Sequence, residues 1–168
     1  MSRQIFSDTE ARPDLFLWNG SVNHSFLKEW LAENHWQIPD DLFSFWQKTG
    51  GGDIYETETI FGPAGDADLG EDVLEINEEL QNRGMPEEFL VFHQGTGGLS
   101  AVRLSDGQYV QLSEDDFSES ETYSSLEEWY DRVLRDEYAD RYGLEHMFNN
   151  NDNEKDSPEF SIAEAQTV

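Results

Sequence analysis

The sequence predicts an α+β domain: a central, mostly antiparallel or mixed β-sheet flanked by N-terminal helices and a long C-terminal helix. Three observations lead there. Apolar residues recur at helical spacing towards both ends of the chain, β-branched and aromatic runs bounded by glycine occupy the middle, and an Asp-Gly pair separates two of those runs. The 168 residues suit one such domain with a tail. Leu, Ile, Val and Phe supply 39 of them, above the roughly one-fifth at which chains tend to disorder. Five Trp and six Tyr add bulk, so a packed core is expected.

Residues 1–20 mix polar and apolar types around the breakers Pro13 and Gly20, and read as a loosely packed N-terminal segment. The domain proper is placed at residues 21–148. Its first helix opens near Ser21 or Asn23, either able to cap it, and carries Phe26, Leu27, Trp30 and Leu31 on one face. Pro39 breaks that helix. Asp40 or Asp41 is expected to accept the free N–H groups of a second, short helix bearing Leu42, Phe43, Phe45 and Trp46. Thr49-Gly50-Gly51-Gly52 stops it, because glycine takes the left-handed conformation that ends a helix. Residues 54–61 then read as one strand, closed by Gly62-Pro63.

Residues 71–83 predict a third helix, with Val73, Leu74, Asn77 and Leu80 on its face and Gly84 beyond its end. Residues 89–92 suit a central strand, followed by a glycine-rich turn with His93 at the strand end. Residues 99–104 and 108–112 flank Ser105-Asp106-Gly107, the strongest hairpin signal in the chain. Ser124 and Glu127 read as a capping box opening the last helix. There Leu126, Trp129, Tyr130, Val133, Leu134 and Tyr138 run at helical spacing towards Gly143. Residues 149–168 are polar and read as a disordered tail, whose removal should leave the core nearly unperturbed.

Composition narrows the function. With 37 acids against 10 Lys and Arg the formal charge is −27, and a protein so charged repels phosphate backbones, which argues against direct nucleic-acid binding. There is no cysteine, hence no disulfide framework, thiol nucleophile or thiolate metal site. Residues 89–92 are the longest fully apolar run and fall far short of a membrane span. The first eight residues lack the apolar stretch of a signal peptide, so the cytoplasm is the expected location. Asp66-Ala67-Asp68-Leu69-Gly70-Glu71-Asp72 hints at a calcium loop but puts Gly70 where an oxygen ligand belongs and Glu71 where the turn glycine belongs. His24, His35, His93 and His146 show no paired ligand spacing. Gly95-Thr96-Gly97-Gly98 lacks the lysine and helix of a phosphate loop. No catalytic residue, metal or cofactor is assigned, and the protein is not expected to be an enzyme.

The distribution of charge is more informative. Residues 49–82 hold ten acids and residues 104–131 hold nine, with no Lys or Arg in either window. Thus 19 of the 37 acids lie in 62 residues without local compensation. Arg132, Arg135 and Arg141 alternate with acids and are expected to pair within the last helix. Uncompensated charge serves solubility, and it also steers a basic partner, raising association rates by up to ~10³ at low salt.

Ile38-Pro39-Asp40-Asp41-Leu42-Phe43-Ser44-Phe45-Trp46-Gln47-Lys48-Thr49-Gly50-Gly51 resembles the signature of the SUKH superfamily (Smi/Knr type), a proline-led helix ending in a glycine pair. Later landmarks follow in order: Ile60-Phe61-Gly62, the helix ending near Gly84, the strand at 89–92, the Asp106-Gly107 hairpin and the helix opened by Ser125-Leu126-Glu127-Glu128-Trp129. The resemblance covers about residues 22–138, with Thr49 where an asparagine often precedes the glycine pair. It implies a sheet with helices around it and a non-enzymatic role. Bacterial members are immunity proteins that bind and neutralise a cognate toxin, often a nuclease; eukaryotic relatives act as regulators, so a regulatory adaptor in signalling or envelope control is the alternative.

The family shares no toxin-contact motif, so candidate contacts come from the charge windows alone. They are Asp66, Asp68, Glu71 and Asp72 in one loop, and Glu114, Asp115, Asp116, Glu119 and Glu121 in the other. Both runs lie outside the apolar periodic segments and are expected to be exposed and mobile. The expected partner is a basic protein toxin, with neither nucleic acid nor membrane bound directly.

Overall fold

The computed structural model describes residues 3–63 and 72–144. The predicted tail at 149–168 lies outside them. Helix α1 (Arg3–Ala11) leads through a 3₁₀ turn at Pro13–Leu15 into strand β1 (Phe16–Trp18), followed by α2 (His24–Glu33) and α3 (Asp40–Thr49). Strands β2 (Gly52–Ile54) and β3 (Glu58–Ile60) precede α4 (Val73–Asn82), and β4 (Phe89–Gly95), β5 (Gly98–Arg103), β6 (Gln108–Leu112) and β7 (Glu119–Tyr123) follow. A helical rod closes the described chain: α5 (Leu126–Trp129), a π-helical stretch (Tyr130–Arg135) and α6 (Asp136–Tyr142). The strands make one seven-stranded sheet in chain order, every pair antiparallel. The α+β architecture with a long C-terminal helix is therefore as expected.

The N-terminal segment is packed, not loose. Ile5, Asp8, Leu15 and Phe16 are buried, and β1 pairs with β2 through Phe16 and Ile54. Polar residues around an amphipathic turn hid this. Asp8 in particular is buried because Arg135 donates to it at 2.9 Å and the Tyr130 hydroxyl at 2.6 Å. Those two residues stand five apart, and the i→i+5 repeat of a π-helix puts such a pair on one side of the rod. Arg135 thus binds a residue 127 positions away, whereas Arg141 makes the expected local pair, with Glu137 at 3.7 Å.

Residues 54–61 form a hairpin instead of a single strand, β2 and β3 being joined at Tyr55-Glu56-Thr57. Tyr55 and Glu56 take positive φ (51° and 70°) without being glycine. Burial holds Tyr55 there: its ring stacks on Tyr138 at 4.7 Å, and its hydroxyl donates to the Tyr130 oxygen. Beyond β3, Asn77 of α4 continues the edge of β4 by donating to Val91 O at 2.9 Å and accepting from Val91 N at 2.7 Å. The predicted strand at 89–92 runs on to Gly95, so His93 lies inside β4 and only Thr96 and Gly97 separate it from β5.

Glycines let the backbone close around this sheet. A Cβ at Gly62 would stand 2.2 Å from Gly50 O, and one at Gly52 would stand 2.2 Å from Leu17 O. The glycine run after α3 is thus a close crossing of three backbone segments as well as a helix stop. Two caps differ from expectation. Pro39 precedes α3 without a side-chain cap, and Asp41 instead accepts from the Tyr109 hydroxyl and from Leu126 N at 2.8 Å. It therefore serves the first turn of α5. That helix is capped by Ser125, whose Oγ accepts from Glu128 N at 3.1 Å, one residue later than the predicted Ser124–Glu127 pair. Glu128 completes the box by accepting from Ser124 N at 2.9 Å.

Candidate partner-binding surface

The β6–β7 connection is built from short-range hydrogen bonds. Ser113 N donates to Ser118 O at 3.0 Å and Phe117 N to Ser113 O at 2.9 Å. Asp116 Oδ1 accepts from Ser118 N at 3.1 Å and from its hydroxyl at 2.8 Å. Those donors hold the Asp116 carboxyl below the usual carboxylate range. Phe117, with φ of 62°, packs against the core and anchors the turn. The loop is therefore exposed, as expected, but hydrogen-bonded into one shape. Glu114 and Asp115 project from it into solvent.

Strand β7 continues the surface as the last strand of the sheet. Glu121 lies opposite Gln111, and Glu119 opposite Leu112. Glu119 and Glu121 stand two apart on β7, so they fall on one face of the strand, and both are exposed. Glu119 accepts from Arg103 at 2.6 Å, and Arg103 also binds Asp106 at 2.8 Å. This arginine sits just outside the base-free window and compensates two of its acids. Among the described residues Glu114, Asp115 and Glu121 make no ion pair.

Of the other proposed cluster, Asp66, Asp68 and Glu71 lie outside the described residues. Asp72 is the N-cap of α4, accepting from Leu74 N at 2.9 Å and Glu75 N at 3.1 Å. Its carboxylate is thus occupied by a structural task that sequence spacing did not reveal.

A second polar cluster, unforeseen in the sequence, is internal. Glu58 Oε1 accepts from His93 Nε2 at 2.7 Å, and His93 Nδ1 stands 2.8 Å from Ser100 Oγ. Ser100 Oγ donates to Gln111 Oε1 and accepts from Trp129 Nε1 at 2.8 Å. Glu58 Oε2 accepts from the Tyr138 hydroxyl at 2.5 Å and from Thr96 N at 3.3 Å. Burial pushes the Glu58 carboxyl up, but the hydrogen bonds from His93 and Tyr138, with the imidazole charge and Thr96 N–H, overcome it and leave it at about 2. The order Ser–His–Glu has the spacing of a nucleophile relay. Yet Glu58, His93 and Ser100 are 3%, 1% and 0% exposed, so solvent does not reach the serine oxygen. The cluster joins β3, β4, β5, β6 and the C-terminal rod. Among the described residues no group of three or more His, Cys, Asp or Glu is placed to hold a metal ion. No described helix is long and apolar enough to cross a membrane.

Set against known families, residues 22–132 match the model of the SMI1 / KNR4 family (SUKH-1). No curated protein matches the chain.

Proposed function

The chain belongs to the SMI1 / KNR4 family (SUKH-1), and from that premise we propose that it is a non-enzymatic immunity protein that captures and neutralises a basic protein toxin, of which a nuclease is the best-fitting kind. A nuclease presents a cationic groove for phosphates, and an acidic protein can occupy or cover it. The observation that carries this reading is the β6–β7 surface. Glu114, Asp115 and Glu121 are exposed there without ion pairs among the described residues, on a loop already held in one conformation. Fixed charge of this sort raises capture rates without an ordering cost on binding, which suits a protein that must intercept a toxin before it acts.

The test uses the product of the gene directly upstream, first by co-purification and then by association kinetics across a salt series. Changing Glu114, Asp115 and Glu121 to Gln or Asn should slow association about tenfold or more at low salt and flatten its salt dependence. Melting should be unchanged, because exposed acids each contribute roughly within ±0.5 kcal/mol. A variant that binds and protects cells like the wild type would remove this surface from the interface.

A further inference from the structure

A groove runs beside the α2–α3 connection, where a cavity of about 740 Å³ adjoins one of about 410 Å³ and His35, Trp36 and Leu104 border both. The larger cavity has an apolar stretch of wall, where Leu31 is buried and Trp36, Ile38, Phe43 and Leu104 are half-buried, whereas the smaller is lined largely by polar side chains. Three carboxylates, Asp40, Glu78 and Glu87, stand at the edges of the groove against one lysine, Lys28. The wall is stiff. Trp36 packs edge-on against Trp30 at 5.4 Å, and Trp30 packs against the buried Trp46 at 6.2 Å.

The turn that shapes the groove carries an unexpected residue. Helix α2 ends with His35 N donating to Ala32 O at 3.1 Å and Trp36 N to Leu31 O at 3.0 Å. That paired arrangement puts His35 at the left-handed position normally held by glycine, and its φ is 59°. The imidazole is exposed at the junction of the two cavities. A strained backbone is retained here with a side chain that makes the groove wall, where glycine would relieve the turn and leave a gap.

We propose that this groove receives an extended basic segment of a protein partner, with one large aromatic or aliphatic anchor between Trp36, Phe43 and Leu104 and flanking Lys or Arg facing Asp40, Glu78 and Glu87. The volumes admit a short stretch of peptide with its side chains, and the carboxylate edge selects cationic neighbours. The proposal rests on the reading of the protein as a binder of a basic partner and adds to it a second contact with a defined anchor.

The probes are three synthetic dodecapeptides: Lys/Arg-flanked with a central Trp, Lys/Arg-flanked with a central Ala, and Glu-flanked with a central Trp. Each is titrated into full-length ¹⁵N-labelled protein to about 1 mM. The expected result is saturable shifts of the Trp36 indole and of amides around residues 31–43 and 104 with the first peptide alone, at least about tenfold tighter than the others. His35→Gly should weaken that binding several-fold while leaving melting equal or higher, a split that a structural role for the imidazole does not give. Leu104→Glu, checked for unchanged melting, should abolish it.

Groove shifts that are equal for all three peptides, or absent, overturn the proposal. If the basic peptides instead shift only residues 113–121, the groove fails and the acidic-surface reading stands; if they shift neither region, both lose support. Groove resonances that move on dilution, or on removal of residues 149–168 without peptide, assign the groove to a second copy or to the chain's own tail and overturn it equally.

Discussion

At the scale of single residues the most consequential is Glu58. It is an acid in a window that sequence alone marks as surface charge, yet it is buried between His93, Tyr138 and Thr96. Gly95 makes room for it, since a Cβ there would fall 1.7 Å from Glu58 Oε1. Replacing the ionised acceptor by a neutral one weakens charge-assisted hydrogen bonds from His93, Tyr138 and Thr96, each worth about 1.5–3 kcal/mol. Glu58→Gln should therefore lower the urea midpoint strongly at pH 7 with little change in the slope. The pH dependence follows from the folded carboxyl lying near 2 against an ordinary 4.5. A depressed carboxyl binds its proton more readily in the unfolded chain, so its stabilisation is present above 4.5 and is lost as pH falls towards 2. The gap between wild type and Glu58→Gln should close over that window. A constant gap from pH 6 to pH 2 would show that the stabilisation does not come from the ionised Glu58 carboxylate.

At the scale of elements the C-terminal rod is held by its ends and by its unusual middle. Ser125 caps α5, and Asp41 from α3 supplies a further acceptor for Leu126 N. Ser125→Ala should cost about 1 kcal/mol. Ser124→Ala should cost less than about 0.5 kcal/mol, because the Ser124 N–H still donates to Glu128. Urea denaturation of the two variants separates the caps, and equal losses would contradict the assignment. Both serines precede glutamates at box spacing, so sequence left the choice to a single residue of register. The π-helical stretch had no sequence signal at all. Its reason is the meeting of Tyr130 and Arg135 on Asp8, a residue 122 and 127 positions away.

At the scale of the whole molecule the net charge of −27 opposes compaction and assists encounter with cations. The 10 Lys and Arg cannot offset 37 acids; among the described residues Arg12, Arg83, Arg103, Arg135 and Arg141 pair with acids and relieve part of the repulsion. Raising NaCl from about 10 mM to about 0.5 M shortens the screening length from roughly 30 Å to below 10 Å. Melting temperature should rise by a few degrees over that range. A fall would mean that the favourable pairs outweigh the summed repulsion. The same salt series should slow capture of a basic partner, so stability and association rate move in opposite directions.

Much of the architecture was legible in local pattern. Helical spacing marked α2, α3, α4 and the C-terminal rod, the Asp-Gly pair marked the β5–β6 hairpin, and the glycine run after α3 marked both a stop and the family signature. These are local effects of burial period and backbone freedom, which a sequence states directly. The charge windows did not separate the acids of one loop that make no ion pair among the described residues, Glu114 and Asp115, from Glu58, Asp72, Asp106 and Glu119, which hold donors or cations. What only the tertiary structure decided were partnerships between distant residues: Glu58 with His93, Asp8 with Arg135, Asp41 with Tyr109 and the start of α5, and Asn77 with the open edge of β4. A polar side chain reads alike in sequence whether it faces water or a buried donor. The difference is made by which strands and helices the packed core brings against it, and that depends on the whole chain.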